Sequence, residues 1–124
     1  MACLGELKLN VRRGDIYWVD FGIPMGSEQG GRRPALIIQN DIGNKKSNTT
    51  IIAAIISTTY SVKYPFHVEI SKSESGLPKH STVKLEQIRT ISISRLISLI
   101  GSLSYDKMLK VDEAIRASLG LTDI

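Results

Sequence analysis

Cysteine is almost missing from this chain. Cys3 is the single one among 124 residues, so no internal disulfide can form. Histidine occurs only twice, at His67 and His80, and no Cys/His spacing suits a structural zinc. The acidic residues are scattered rather than clustered, with Asp15 and Asp20 on opposite faces of one strand, so no divalent-metal cage is expected either. Long apolar runs are also lacking. The longest uncharged stretch, Ser47 to Val62, is interrupted by Ser and Thr. A membrane-spanning helix needs about 20 mostly apolar residues, so none is expected. The first ten residues, MACLGELKLN, hold no basic leader followed by an apolar core. No secretory signal is therefore expected, and a cytoplasmic location is. There is no internal repeat, low-complexity segment or linker.

Charge of one sign is not concentrated anywhere. Sixteen Lys and Arg against twelve Asp and Glu give a formal +4, spread along the chain. A mixed, solvated surface carries such a surplus, and so does a protein with an anionic partner such as nucleic acid or an acidic protein. What remains is an ordinary globular composition, 42% hydrophobic and 23% charged, at the length of one domain. Residues 1–10 read as an extension and residues 11–124 as the domain.

The hydrophobic pattern is mostly that of short strands. Arg13-Gly14-Asp15 reads as a turn feeding the strand Ile16 to Phe21. Gly22 to Gly31 is a loop, because five Gly and Pro residues make helix or strand costly there. Ala35 to Ile38 is a short apolar strand after Pro34, and Asn40 to Asn44 is turn chemistry. Thr49 to Ser57 is a β-branched run long enough for a strand buried on both faces. Phe66 to Ile70 alternates apolar and polar as a half-buried strand does. Ser75 to Pro78 is a turn, Thr82 to Ile93 is one or two strands, and Leu96 to Leu103 is a turn and a short strand. Ser104 caps a closing helix whose apolar face is Met108, Val111, Ile115 and Leu119, with Gly120 as its stop. The fold class is mainly β (α+β): a curled sheet or small barrel with a C-terminal α-helix.

Four places could carry chemistry. The loop Gly26-Ser27-Glu28-Gln29-Gly30-Gly31 presents three hydrogen-bonding side chains between glycines, as a hairpin loop or as a flap over a ligand. Arg33, fixed by Pro34, can hold a phosphate with its planar fork or make a surface ion pair. Ser57, Thr58 and Thr59 end the apolar strand, as turn residues or as phosphate donors. Glu86, Gln87 and Arg89 put polar groups on both faces of one strand region, which a solvated cross-strand ion pair also explains. The two histidines read as structural or surface residues, since no carboxylate and no second histidine is visible as a partner for either.

Taken together these segments resemble the MazF/PemK-type toxin endoribonucleases. The resemblance runs from Arg13-Gly14-Asp15-Ile16-Tyr17 through Gly26 to Gly31 and Arg33-Pro34. It continues over Gln39-Asn40-Asp41, Gly43-Asn44, Pro65, His67-Val68-Glu69-Ile70 and Leu85 to Thr90, and ends near Lys110 to Ala114. It covers roughly residues 11–120, and the order and spacing of the motifs make it specific.

The resemblance implies an SH3-like or CcdB-like small β-barrel, usually a homodimer. It implies metal-independent, sequence-specific cleavage of single-stranded RNA or mRNA, with no cofactor, through 2′-hydroxyl attack. The expected products carry 2′,3′-cyclic phosphate and 5′-hydroxyl ends. It further implies a cognate antitoxin with an acidic flexible segment, and operator DNA binding only through the antitoxin complex. It assigns catalysis to Arg33 and to a strand-end hydroxyl, and RNA contacts to Ser27, Glu28, Gln29, Thr58 and Gln87. Here the chain departs from the family, because Ile56 occupies the hydroxyl's position. Ser57, turned inward by a bulge, is the first substitute and Thr58 the second. Ile56 itself is expected in the core. The alternative function is a related barrel acting as a binding module, a topoisomerase poison or a DNA-bound co-repressor, without nuclease activity.

Overall fold

β-Branched residues dominate the central strand β3 (Thr49–Ile56), and four successive residues, Ile52, Ala53, Ala54 and Ile55, are buried. Such a strand must be covered on both faces, and it is. The computed structural model describes residues 10–23, 26, 30–58 and 60–122. Six strands form one antiparallel sheet in the order β4-β5-β3-β2-β1-β6. The others are β1 (Asp15–Asp20), β2 (Arg32–Ile37), β4 (His67–Ile70), β5 (Ser81–Ser92) and β6 (Leu96–Ser102). The expected small β-barrel with a C-terminal helix is realised as a curled half-barrel whose edges, β4 and β6, stay open. One strong irregularity shapes it. Ala53 pairs with Ile88 but Ala54 pairs with Lys84, so Leu85, Glu86 and Gln87 lie opposite a single step of β3. Extra residues on one strand bend and twist the sheet at that point.

Two apolar clusters occupy the two faces. Ile16, Leu36, Ala53, Ile55, Val83 and Leu85 pack against Met108, Val111 and Ala114 of helix α3 (Tyr105–Ser118). Tyr17, Val19, Ala35, Ile37, Ile52 and Ile91 form the second cluster with Val11, Phe21 and Leu96. Strand alternation sorts the residues between them. The helix begins where expected, with the Ser104 hydroxyl accepting from the Lys107 amide. Its buried stripe is Met108, Val111, Ala114 and Ala117. Leu119, expected on that stripe, is exposed because the helix ends at Ser118.

Several motifs of the resemblance are clasps between elements. At the first turn Gly14 adopts φ +96°, a left-handed conformation that favours glycine, and the Asp15 carboxylate accepts from the Arg12 amide and the Ser102 hydroxyl. Arg13 spans to α3 through Asp112 at 2.6 Å and to the Ile38 carbonyl at 2.8 Å. Asn40 to Asn44, expected as a turn, instead opens a short helix α1 (Asp41–Lys46) capped by Asn40. Buried Asn44 joins this helix to β3: its amide oxygen accepts from the Thr50 hydroxyl at 2.7 Å and from Gln39 at 3.0 Å.

The Ser75 turn is likewise the end of a short helix, α2 (Lys72–Ser75), with a Ser71–Glu74 capping box. It sits so close to β6 that a Cβ on Gly101 would lie 2.4 Å from the Ser75 carbonyl oxygen. The segment after β5 is a 3₁₀ turn (Ile93–Arg95) and β6 begins at Leu96, so the turn precedes Leu96 rather than opening the segment Leu96 to Leu103 as expected. Among the described residues no helix is long and apolar enough to cross a membrane.

Candidate functional site

Arg33 enters β2 immediately before Pro34, whose ring fixes the backbone there. Its Nε donates to the Gly30 carbonyl at 2.9 Å, which leaves the outer nitrogens of the guanidinium open and exposed. The ladder between β2 and β3 pairs Ala35 with Ala54 and Ile37 with Ile52. Continued two residues outward, that register sets Arg33 opposite Ile56 on one face of the sheet. Here β3 ends, and Ser57 follows in an exposed bend.

These strand ends border a cleft of about 300 Å³, lined among others by Trp18, Arg32, Arg33, Ile56, Ser57 and Lys79. Among the described residues its lining includes three cations and no acid. A concave surface of one charge sign concentrates anions and focuses the field on them. The guanidinium stays protonated at any physiological pH, so it serves as a fixed donor and not as a base.

Of the expected site residues, the fold brings Arg33 and Ser57 to one cleft. The bulge expected at Ser57 is absent. The irregularity of β3 lies earlier, between Ala53 and Ala54, and Ser57 stands past the last strand residue, where alternation no longer constrains it. Ile56 is not in the core as expected. It is half-buried and lines the cleft, because the strand runs out past the end of the apolar cluster. Thr58 is exposed, and its carbonyl accepts from the Thr82 hydroxyl at 2.9 Å, which ties the segment after β3 to β5. Gln87 is half-buried within the β5 irregularity and does not line the cleft. Ser27, Glu28 and Gln29 lie outside the described residues. The base of their loop is a hairpin stalk, with Phe21 donating to Gly31 and Gly31 to Gly22, both at 2.8 Å.

The histidines need correction. Each has a carboxylate partner: His67 Nε2 lies 2.9 Å from Glu86 Oε2, and His80 Nε2 lies 3.1 Å from Glu69 Oε1. Neither pair is close in sequence, and only the pairing of β4 with β5 creates them. Lys63 also bonds Glu69. Hydrogen bonds from Lys63 and then His80 hold the Glu69 carboxyl below its ordinary range. An aromatic group surrounds His67, a feature the sequence reading passed over although Tyr60, Tyr64 and Phe66 stand close together in the chain.

Comparison with known proteins puts this geometry in context. The chain is 50% identical over 113 residues to Endoribonuclease EndoA of Bacillus subtilis, covering 91% of this chain and 97% of that one. Its fold is similar to that of MazF from Deinococcus radiodurans (TM-score 0.74, 25% identity, 90% of this chain and 98% of that one). It is also similar to a mycobacterial endoribonuclease in complex with its cognate antitoxin (TM-score 0.75, 24% identity, 92% and 99% coverage). Residues 12–119 match the family described as PemK-like, MazF-like toxin of type II toxin–antitoxin system. With a curled six-stranded sheet, a single-signed cleft at its rim and that match over most of its length, the chain belongs to the PemK/MazF toxin family.

Proposed function

We propose that this protein is the toxin of a type II toxin–antitoxin pair and acts in the cytoplasm as a sequence-specific, metal-independent endoribonuclease on single-stranded RNA. The observation that carries this is the cleft in which Arg33, Arg32 and Lys79 meet with no opposing acid among the described residues. Half identity to a protein named an endoribonuclease supports it.

In this reading a phosphodiester lies against Arg33. The 2′-oxygen of the preceding ribose attacks the phosphorus in line with the 5′-oxygen of the next nucleotide. The bond from phosphorus to the 2′-oxygen forms, and the bond from phosphorus to the 5′-oxygen breaks. The 2′-hydroxyl proton is lost and the departing 5′-oxygen gains one, leaving a 2′,3′-cyclic phosphate and a 5′-hydroxyl. Negative charge grows on the phosphoryl oxygens in between, where the open end of the Arg33 guanidinium meets it. The Ser57 hydroxyl supplies the second donor in place of one on Ile56. Ser27, Glu28, Gln29, Thr58 and Gln87 are assigned to the flanking RNA.

The partner follows from the same electrostatics. A cleft that accepts phosphates also accepts an acidic antitoxin segment, so the two compete. The toxin works as a homodimer and reaches operator DNA only in the antitoxin complex. Residues 1–10 are an extension and the toxin domain is 11–124.

One observation favours a second reading. Ile56, opposite Arg33, carries no hydroxyl, and a cleft with one donor fewer could bind without cutting. The test is to incubate purified protein with a long single-stranded RNA in EDTA and to map the fragment ends. Cleavage with cyclic phosphate ends is expected. Intact RNA, or activity that only Mg²⁺ restores, would turn the conclusion to the binding module or to another chemistry.

A further inference from the structure

We propose that Tyr60, Tyr64, Phe66 and His67 form a stacking platform for an unpaired nucleobase of the RNA strand whose phosphate lies at Arg33. This rests on the ribonuclease reading above and names a subsite for it.

The rings form one assembly. Tyr60 lies 4.9 Å from His67 between centroids, and Tyr64 and Phe66 stack at 5.2 Å with planes 19° apart. Tyr64 and Phe66 also meet His67 edge-on, at 5.4 and 5.0 Å. The hub is immobilised, since Nε2 of His67 is bonded to Glu86 and the ring is almost covered. Tyr64 remains 44% exposed beside Val62, at 57%. A platform held this way loses little side-chain freedom when a base lands on it. The hollow among these residues is only about 40 Å³, too small to swallow a base, so the base lies on the rings.

The charges around the rings are balanced. Lys84 sits 5.9 Å from the Tyr60 ring centroid, and Lys63 lines the hollow. The two acids nearby are already bonded, Glu69 to Lys63 and His80, and Glu86 to His67 and Lys84. Acids and lysines thereby offset one another, so a strand meets neither repulsion nor a charge surplus here and the rings supply the contact.

Register places the platform and Arg33 on the same face. One cross-strand row reads His67, Lys84, Ala54, Ala35. The next row on that face reads Glu69, Thr82, Ile56 and, with the register continued, Arg33. From β2 to β4 is three strand spacings, about 14 Å. Ala35, Ala54 and Thr82 on these rows are buried, with Thr58 bonded over Thr82, so a strand anchored at Arg33 passes over the segment after β3 and arrives at the rings with a flanking nucleotide, not the reacting one. Stacking is indifferent to base identity, so this subsite adds affinity rather than sequence choice.

The test uses the full chain and an RNA oligomer carrying the cleavage sequence mapped above, made uncleavable by a 2′-deoxy substitution at the cut. Abasic positions are scanned along it. For wild type, one flanking abasic position should weaken binding roughly 5- to 100-fold. Tyr64→Ala should lose a similar factor on the intact oligomer and lose nothing further on that abasic one. Tyr64→Phe should match wild type. If Tyr64→Ala binds every oligomer as wild type does, or if its loss simply adds to the abasic loss, the platform does not hold a base and the proposal fails while the ribonuclease reading stands. If Tyr64→Ala weakens only an acidic antitoxin peptide, the rings serve the protein partner and the proposal fails again. A wild-type protein that neither binds nor cleaves RNA overturns both.

Discussion

Arg33→Ala is the substitution with the largest expected consequence. In the structure the side chain is exposed, and its bond to the described residues is to the Gly30 carbonyl, which water can replace. The fold should therefore be indifferent, with a stability change within about 0.5 kcal/mol. The rate should not be. A phosphodiester gains close to one unit of negative charge on reaching a phosphorane-like transition state. At about 4 Å and an effective dielectric near 20, a fixed positive charge contributes about 4 kcal/mol to that step. The cleft is open to solvent, so the lower part of the range applies, about 10²–10³ in kcat. Arg33→Lys keeps the charge but loses the fork, and should fall between wild type and Ala. Arg32 lines the same cleft but alternates away from the Arg33–Ile56 row, so Arg32→Ala, which removes only a longer-range charge, should change kcat only a few-fold. Single-turnover cleavage of one RNA by all four proteins, with thermal melts alongside, decides it. Equal losses at Arg32 and Arg33, or an Arg33→Ala protein that melts much earlier, would refute the assignment.

The strand-end hydroxyl gives the next expectation: Ser57→Ala should slow cleavage about tenfold or more and exceed Thr58→Ala, while Ile56→Thr, which sets a hydroxyl opposite Arg33, should restore the Ser57→Ala protein. Failure of that rescue in single-turnover assays would remove Ser57 from the mechanism. Antitoxin peptide titrated against bound, uncleavable RNA should displace it, and simultaneous binding without mutual weakening would exclude a shared cleft. Asn44→Ala orphans the buried Thr50 hydroxyl, while the Gln39 amide keeps the Thr49 carbonyl, and should cost about 1–3 kcal/mol in a denaturant melt. At Glu74 burial pushes the carboxyl up, but the Ser71 bonds and Lys107 outweigh it, and the net shift is downward. A carboxyl depressed in the folded state stabilises above its unfolded value, about 4.3, and that contribution is lost as pH falls through the lower folded value. Glu74→Gln should therefore flatten the acid limb of a stability–pH curve, and an unchanged limb would contradict the shift.

The elements with strong local signals were legible in the chain itself. A β-branched run with no polar break had to be a doubly covered strand, and Ser104 with its i, i+3 apolar spacing had to start a helix. Arg33 beside Pro34, the strand-end hydroxyls and the missing hydroxyl at Ile56 could be read without coordinates, because they are contiguous segments. Asn40 to Asn44 and Ser75 to Pro78 read as turns in the sequence although one short helix begins at Asp41 and another ends at Ser75, since caps and turns draw on the same Asn, Ser and Gly.

What the tertiary structure alone decided depends on register. Local sequence says that a residue faces up or down, but not which residue stands opposite on the next strand. Pairing of β4 with β5 made the two His–Glu pairs, the β3–β5 irregularity withdrew Gln87 from the cleft, and the end of β3 brought Ile56 from the core to its rim. Composition had already determined that the charge surplus was small. Only the curl of the sheet determined that three of the cations would meet at one rim, because charges far apart in the chain share a field once folding brings their strands and loops together.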